Sequence, residues 1–284
     1  MTKKYILTIL ATAFCLISMA QDDLKLKLDS IATSGLEKGI PGIQVIISDS
    51  KGYTIYNYGH HEIEKTTEVN DSTRWRYGSI TKVFTAVMIL QLESEGKLSI
   101  DDSATKYIDL KQHNAAGITI KHLLNHSSGL YNYTASKKLK WEDTPNLCLE
   151  NSLKRKLNFT PGSKYDYCNT GYVILGLIIE KITAQSYQQN ITERIFKPCG
   201  LESMIYCSDD KIPFNTARGY KIKHNKYTDF TEIDHSWANS AGAVLGNLTD
   251  LNKFVDCLFK GNLIDSSQLK KMISPTIIYR DLNA

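Results

Sequence analysis

The sequence predicts an α+β fold, with an early β-hairpin followed by a long, mainly helical middle. Three observations carry this. After Pro41-Gly42, "IQVIISDSKGYTIYNY" gives two β-branched and aromatic runs around Ser50-Lys51-Gly52, which is the pattern of a hairpin. From Ser79 to about Glu95, the stretch containing "VFTAVMILQL" reads as a helix that is apolar nearly all round and ended by Gly96, so it should run through the core. Residues 101–215 look mainly helical, with loops at 126–136 and 158–169, and little sheet follows them. Half of the expected sheet is therefore unaccounted for.

Taken in order, the chain opens with "MTKK", a basic start, then the apolar "YILTILATAFCLI", then small residues at Ser18-Met19-Ala20. This is the pattern of a cleaved signal peptide over residues 1–20. The apolar run is too short to span a bilayer comfortably, and Phe14 is too large for the small-residue site that would make Cys15 a lipid anchor. The expectation is a periplasmic or secreted protein with no stable membrane span after cleavage. Residues 21–284 then suit one domain, with a helical subdomain at about 101–215. Residues 22–37 read as an amphipathic helix with Leu24, Leu28, Ile31 and Leu36 on its apolar side. The helix 170–184 follows Asn169 directly, and Gly171 and Gly176 would permit close packing. "SAGAVLGNLTDLNKFVDCLF" gives a small-residue turn or short strand and then a helix from about Thr249, and "SSQLKKMIS" is a last helix.

Composition excludes several classes. The formal net charge is +4, and removing Lys3 and Lys4 with the leader lowers it to +2, too balanced to argue for a nucleic-acid partner. Cysteines 148, 168, 199, 207 and 257 remain, an odd number at irregular spacing with no C-x-x-C, so neither a disulfide framework nor a zinc ribbon is implied. Cys199 and Cys207 are near enough in sequence to bridge in an oxidising compartment, but buried free thiols are the favoured reading.

For chemistry, six S-x-x-K matches occur, starting at Ser48, Ser79, Ser94, Ser103, Ser208 and Ser267, so the spacing alone selects nothing. Context favours Ser79. It would stand at a helix N-terminus, where backbone N–H groups favour developing negative charge, with Lys82 one turn on and on the same face. In a buried helix Lys82 would lose its proton more easily than a solvated lysine and could act as base. Tyr167-Cys168-Asn169 is the one Y-x-N among sixteen tyrosines. The phenol can relay a proton and the amide can hold a substrate carbonyl, although taken alone the motif reads as an aromatic packing residue and an Asn N-cap. "HLLNH" places His122 and His126 at i, i+4 but lacks the glutamate of H-E-x-x-H and a third ligand, so no metal is assigned. Glu142 to Asn146 mimics an acid-x-x-x-Asn signature in the wrong order and is read as chance. No G-x-S-x-G is present.

"RWRYGSITKVFTAVMILQLESEGKLSIDDSATKYI", "ITIKHLLNHSSGL", "FTPGSKYDYCNTGYVILGLIIEKIT", "IFKPCGLESM" and "WANSAGAVLGNLTDLNKF" resemble, collinearly, the serine β-lactamase-related family of class C β-lactamases, D-alanyl-D-alanine carboxypeptidases and related esterases and peptidases. The resemblance implies a β-lactamase/transpeptidase-like fold, with an antiparallel sheet flanked by helices and a mainly helical subdomain. It implies Ser79 as acylated nucleophile, Lys82 as its partner, Tyr167 as proton relay and Asn169 as binder of the substrate amide, with no cofactor. The family's third motif, K-S/T-G or H-x-G on a strand that supplies a second oxyanion donor, occurs nowhere in the 284 residues. The expectation is therefore a member truncated at its C-terminus, or a degenerate one, whose closing strands are missing. Its function would be acyl-serine hydrolysis of a small-molecule or peptide amide, ester or lactam. The alternatives are a non-catalytic binder of cell-wall peptides or β-lactams, and an inactive gene fragment.

Overall fold

The expected hairpin forms in the computed structural model: β1 (Gly42–Asp49) pairs antiparallel with β2 (Gly52–Gly59), Asp49 facing Gly52 across the turn. The structure describes residues 23–110, 115–136, 145–207, 212–224, 226–231 and 236–274. The expected leader at 1–20 and the stretch beginning at Glu142 lie wholly or partly outside these residues. The chain divides into two compact units, Met1–Asn70 and Asp71–Ala284.

In the first unit, helix α1 (residues 23–37) lies against the hairpin. A Cβ on Gly35 would come within 2.8 Å of the Ile43 side chain, and Tyr58 donates from its hydroxyl to Asp29 at 2.9 Å. The packed stripe runs through Leu28, Ala32 and Leu36, whereas Leu24 and Ile31, expected on the apolar side, are exposed. The i, i+4, i+8 row of Leu28, Ala32 and Leu36 carries the contact, with the small Ala32 allowing close approach.

The second unit is built on α2 (Thr81–Ser94), whose buried residues are Thr81, Lys82, Phe84, Thr85, Val87, Met88, Ile89, Leu90 and Leu92. They occupy more than one face, as the unbroken apolar run requires. Phe84 stacks on Phe254 at 4.0 Å between ring centroids and meets Phe196 edge-on at 6.1 Å. Glu95 closes the helix, and Gly96, at φ 68°, turns the chain away. The other helices are α3 (Ile120–Leu124), α4 (Pro145–Leu153), α5 (Asn169–Thr183), α6 (Tyr187–Ile191) and, after the strands below, α7 (Leu248–Phe259) and α8 (Ser266–Ile273). A π turn, Thr192–Phe196, follows α6. α5 packs on α2 and on the 236–241 turn. A Cβ on Gly176 would stand 2.2 Å from the Ser240 hydroxyl, so that approach requires glycine.

A small antiparallel sheet fixes how α2 enters. β3 (Arg74–Arg76) and β4 (Ile205–Tyr206) both pair with β7 (Val244–Asn247), Arg76 and Ile205 flanking Leu245 from either side. β4 interrupts the stretch expected to be mainly helical. A second hairpin, β5 (Tyr220–Lys223) and β6 (Lys226–Asp229), lies just past that stretch, where no strand was expected. No helix of the described residues is long and apolar enough to cross a membrane.

The cysteine expectation is corrected. Cys199 is disulfide-bonded to Cys257, 58 residues away, and Cys207 is a buried free thiol, as is Cys168. Cys199 lies just past the π turn and Cys257 on α7, two segments that the Phe84–Phe196–Phe254 packing brings together. Closing a loop of this length stabilises by about 2–4 kcal/mol. Cys257→Ser is expected to lower the unfolding free energy by that amount in urea titration, and wild type in reductant should match it. Equal midpoints for all three samples would show that the bond adds no stability.

Candidate active site

β3 delivers the chain to Tyr77, whose N–H donates to Val244 O at 3.0 Å, and then to Gly78 at φ +52°. That left-handed residue bends the strand into a short 3-10 turn, Gly78–Ile80, which runs straight into α2. Ser79 therefore sits on the entry turn, while Lys82 is the second residue of the α-helix and is 6% exposed.

The Lys82 Nζ lies 3.1 Å from Ser79 Oγ, 2.8 Å from Asn169 Oδ1 and 2.7 Å from the Ala241 carbonyl oxygen. Two of these three partners, the amide and the peptide carbonyl, only accept. A neutral amine would spend its two N–H bonds on them and turn its lone pair towards the Ser79 hydroxyl. Burial pulls the Lys82 pKa down to about 8, so the neutral form is accessible near neutral pH. Tyr167, partly exposed, donates from its hydroxyl to Ser79 Oγ at 2.8 Å. The four residues predicted from sequence, Ser79, Lys82, Tyr167 and Asn169, thus stand within hydrogen-bonding distance in one cluster.

Asn169 is the first residue of α5, and Cys168 takes the N-cap position. The Asn169 side chain does not cap its helix. Its oxygen faces Lys82, and its Nδ2 donates to Thr134 Oγ1 at 3.0 Å. Thr170 anchors the helix start by donating to Tyr131 O at 2.7 Å. The Ala241 carbonyl is presented by a turn strained at Asn239 (φ 41°, ψ −139°), and Thr85 ties that turn to α2 by donating to Ser240 O at 2.7 Å. Beside Ser79, a cavity of about 340 Å³ is lined by Arg76, Tyr133, Thr134, Asn169 and Trp237, with Gly78, Ala238, Ala241 and Gly242.

His126, weighed in the sequence only as half of a metal pair, holds the Y-x-N segment instead. Its backbone is left-handed (φ 60°), its carbonyl accepts from Asp166 N at 2.9 Å, and its Nδ1 accepts from Cys168 N at 3.1 Å. The neutral ring therefore carries its proton on Nε2. Its centroid is 4.4 Å from the Tyr167 ring. Burial, reinforced by the nearby Lys82 charge, lowers its pKa to about 4. His122 instead accepts from Thr119 N at 3.2 Å in a capping box at the start of α3. Among the described residues, no three His, Cys, Asp or Glu are grouped to hold a metal ion.

His126 is thus a positioning residue for the Y-x-N segment. His126→Ala leaves the Cys168 N–H without its acceptor, and misplacement on this scale is expected to reduce kcat by on the order of tenfold to a hundredfold. His126→Asn tolerates φ > 0 and offers an amide oxygen near the Nδ1 position, so it should recover most of the loss. Ester kinetics on both variants check this. An asparagine variant as slow as the alanine one would remove the hydrogen bond from the account.

A family model described as Beta-lactamase matches residues 27–280. The chain belongs to the Beta-lactamase family. Within the family's curated proteins, it is 28% identical over 246 residues to Protein flp of Staphylococcus aureus (strain MW2), covering 82% of this chain and 49% of that one. The chain thus spans about half the length of the curated relatives it matches first. Among solved structures of this fold, D-amino acid amidase from Ochrobactrum anthropi SV3, crystallised with L-phenylalanine, superposes with TM-score 0.80 at 26% identity, covering 89% of this chain and 74% of that one. A D-stereospecific amidohydrolase from Streptomyces sp. gives TM-score 0.76 at 28% identity, covering 85% and 74%. The β-lactamase/transpeptidase-like fold expected from the sequence is the observed one, and the neighbours support a family of serine hydrolases.

Proposed function

We propose that this chain is an exported serine hydrolase that acts on an amide, ester or lactam through an acyl-serine intermediate. The observation that carries this is the sorting of hydrogen bonds around Lys82: two acceptor-only oxygens take its N–H groups and leave its lone pair for Ser79. In the reaction, Lys82 takes the proton from Ser79 Oγ as that oxygen bonds to the substrate carbonyl carbon. The proton returns, by way of the Tyr167 hydroxyl, to the nitrogen or oxygen that leaves as its bond to the carbonyl breaks. Asn169 holds the substrate amide, and the Ser79 N–H receives the developing oxyanion. Water then cleaves the acyl-serine ester with the same groups. The amidase and amidohydrolase neighbours favour an amide or peptide substrate. Export rests on the leader at 1–20, and the Cys199–Cys257 bond is at home in an oxidising compartment such as the periplasm.

The test is to trap the intermediate. Labelled penicillin or a fluorophosphonate should add its mass to the peptide bearing Ser79, and to no other serine. Saturable binding of the penicillin with no covalent mass and no turnover would favour instead a binder of cell-wall peptides or β-lactams.

A further inference from the structure

The cavity beside Ser79 has a guanidinium in its wall. Arg76 ends β3 and lines the cavity together with Ser79 and Asn169. One of its terminal nitrogens, Nη2, donates to the Thr231 carbonyl, while its buried Nε–H finds no acceptor among the described residues. Among the described residues, no carboxylate lies within ion-pair distance of it, and burial lowers its pKa from the usual arginine value. A half-buried cation is costly without a counter-charge, and the edge of this guanidinium that faces the cavity is where an anion would supply one. Arginine is also the side chain whose fork of donors fits a carboxylate.

The cavity also tells which part of a substrate would bring that anion. Tyr167 touches Ser79 Oγ but is not part of the cavity wall. A leaving group protonated by Tyr167 departs on that side, so the portion that stays on Ser79 lies in the cavity, beside Asn169 and Arg76. We infer that Arg76 determines specificity by receiving a carboxylate carried on the acyl portion of the substrate. The inference rests on the proposed acylation of Ser79 for the direction of the substrate, but not for the binding of the anion itself.

The test pairs substrates that differ only in that charge. Succinyl, glutaryl and adipyl half-esters of p-nitrophenol are compared with butanoyl, pentanoyl and hexanoyl esters, with Ser79→Ala protein subtracted as background. Wild type should prefer the best-fitting half-ester by about tenfold to a hundredfold in kcat/KM, mostly through KM, and the preference should shrink with salt. Arg76→Gln should bring the ratio to near one, and Arg76→Lys should keep part of it. A wild type without preference, or a preference that survives Arg76→Gln, overturns the inference. Calorimetry with adipic monoanilide and hexananilide reads the same contrast without chemistry. If no ester is hydrolysed, the acyl-serine proposal fails while tighter binding of the monoanilide, lost in Arg76→Gln, still supports the anion site. Equal binding of the two anilides sinks it. Should Arg76→Gln misfold by circular dichroism, Arg76→Lys carries the comparison.

Discussion

Replacing Ser79 with alanine is expected to abolish covalent labelling and to reduce turnover of an activated ester by about 10⁴-fold or more, the scale on which nucleophile deletions act. Binding should persist. Asn169, Lys82 and the cavity wall do not depend on the hydroxyl for their own contacts: Asn169 is also held by Thr134, and Lys82 by Ala241. The variant should therefore fold, with an unchanged thermal midpoint. Mass spectrometry after incubation with labelled penicillin, alongside ester kinetics, gives both readings. If the alanine variant still acquires label, or hydrolyses within tenfold of wild type, one of the other serines followed by x-x-Lys must be reconsidered. Among the described residues, none of those serines stands beside a buried lysine and a tyrosine hydroxyl.

The second large effect concerns Lys82. As a base it works in the neutral form, and burial places its pKa at about 8. Below that value the neutral fraction falls tenfold per pH unit. The rate should therefore climb with slope one through the acid and neutral range and level off above about pH 8. His126, lowered to about 4, stays neutral throughout this window and does not shape it. Lys82→Ala should cost about 10²- to 10⁴-fold and flatten the profile, because the titrating group is gone. Lys82→Arg should be no better, since a guanidinium keeps the charge but cannot be deprotonated. Tyr167→Phe should slow turnover while leaving the ionisation near 8 in place. A wild-type profile with no ionisation between 7 and 9, or an active arginine variant, would take the role of base away from Lys82.

How much of this was readable beforehand depended on whether a feature leaves a local mark. The β1–β2 hairpin did, through alternation around Ser50-Lys51-Gly52, and α2 did, through an apolar run with few interruptions. The β5–β6 hairpin did not. Six of its eight residues are exposed, so no buried face imposes an alternating pattern, and three of them are lysines. β4 is two residues long, too short to carry periodicity. Asn169 read locally as a helix cap because Asn favours that position; in the fold the cap position falls one residue earlier, which frees the amide for Lys82. The Ala241 carbonyl that completes the lysine's environment has no signature at all, since every residue carries one. His126 was hidden by its spacing from His122, which suggests a metal before it suggests a backbone acceptor. The Cys199–Cys257 pairing depends on packing between segments 58 residues apart, which no count of cysteines reveals.

The burial of α2 on more than one face has a consequence for how such a protein can change. The residues after Lys82 are nearly all core, so a substitution there alters volume or leaves a hole, and the damage reaches Ser79 through the entry turn. Selection for a new substrate has little freedom on the element that carries the chemistry. The freedom lies in segments that reach the cavity by their tips: Tyr133–Ala135, the turn ending at Gly242, and the side chain at position 76 on its short strand. These segments can vary without repacking the helix. A library randomised at Thr134, Trp237 and Ala238 should yield folded proteins with altered preferences far more often than one randomised at Phe84, Met88 and Ile89. The invariant part of the machine and the adaptable part would then be separable by mutation, although they meet within a single cluster of hydrogen bonds.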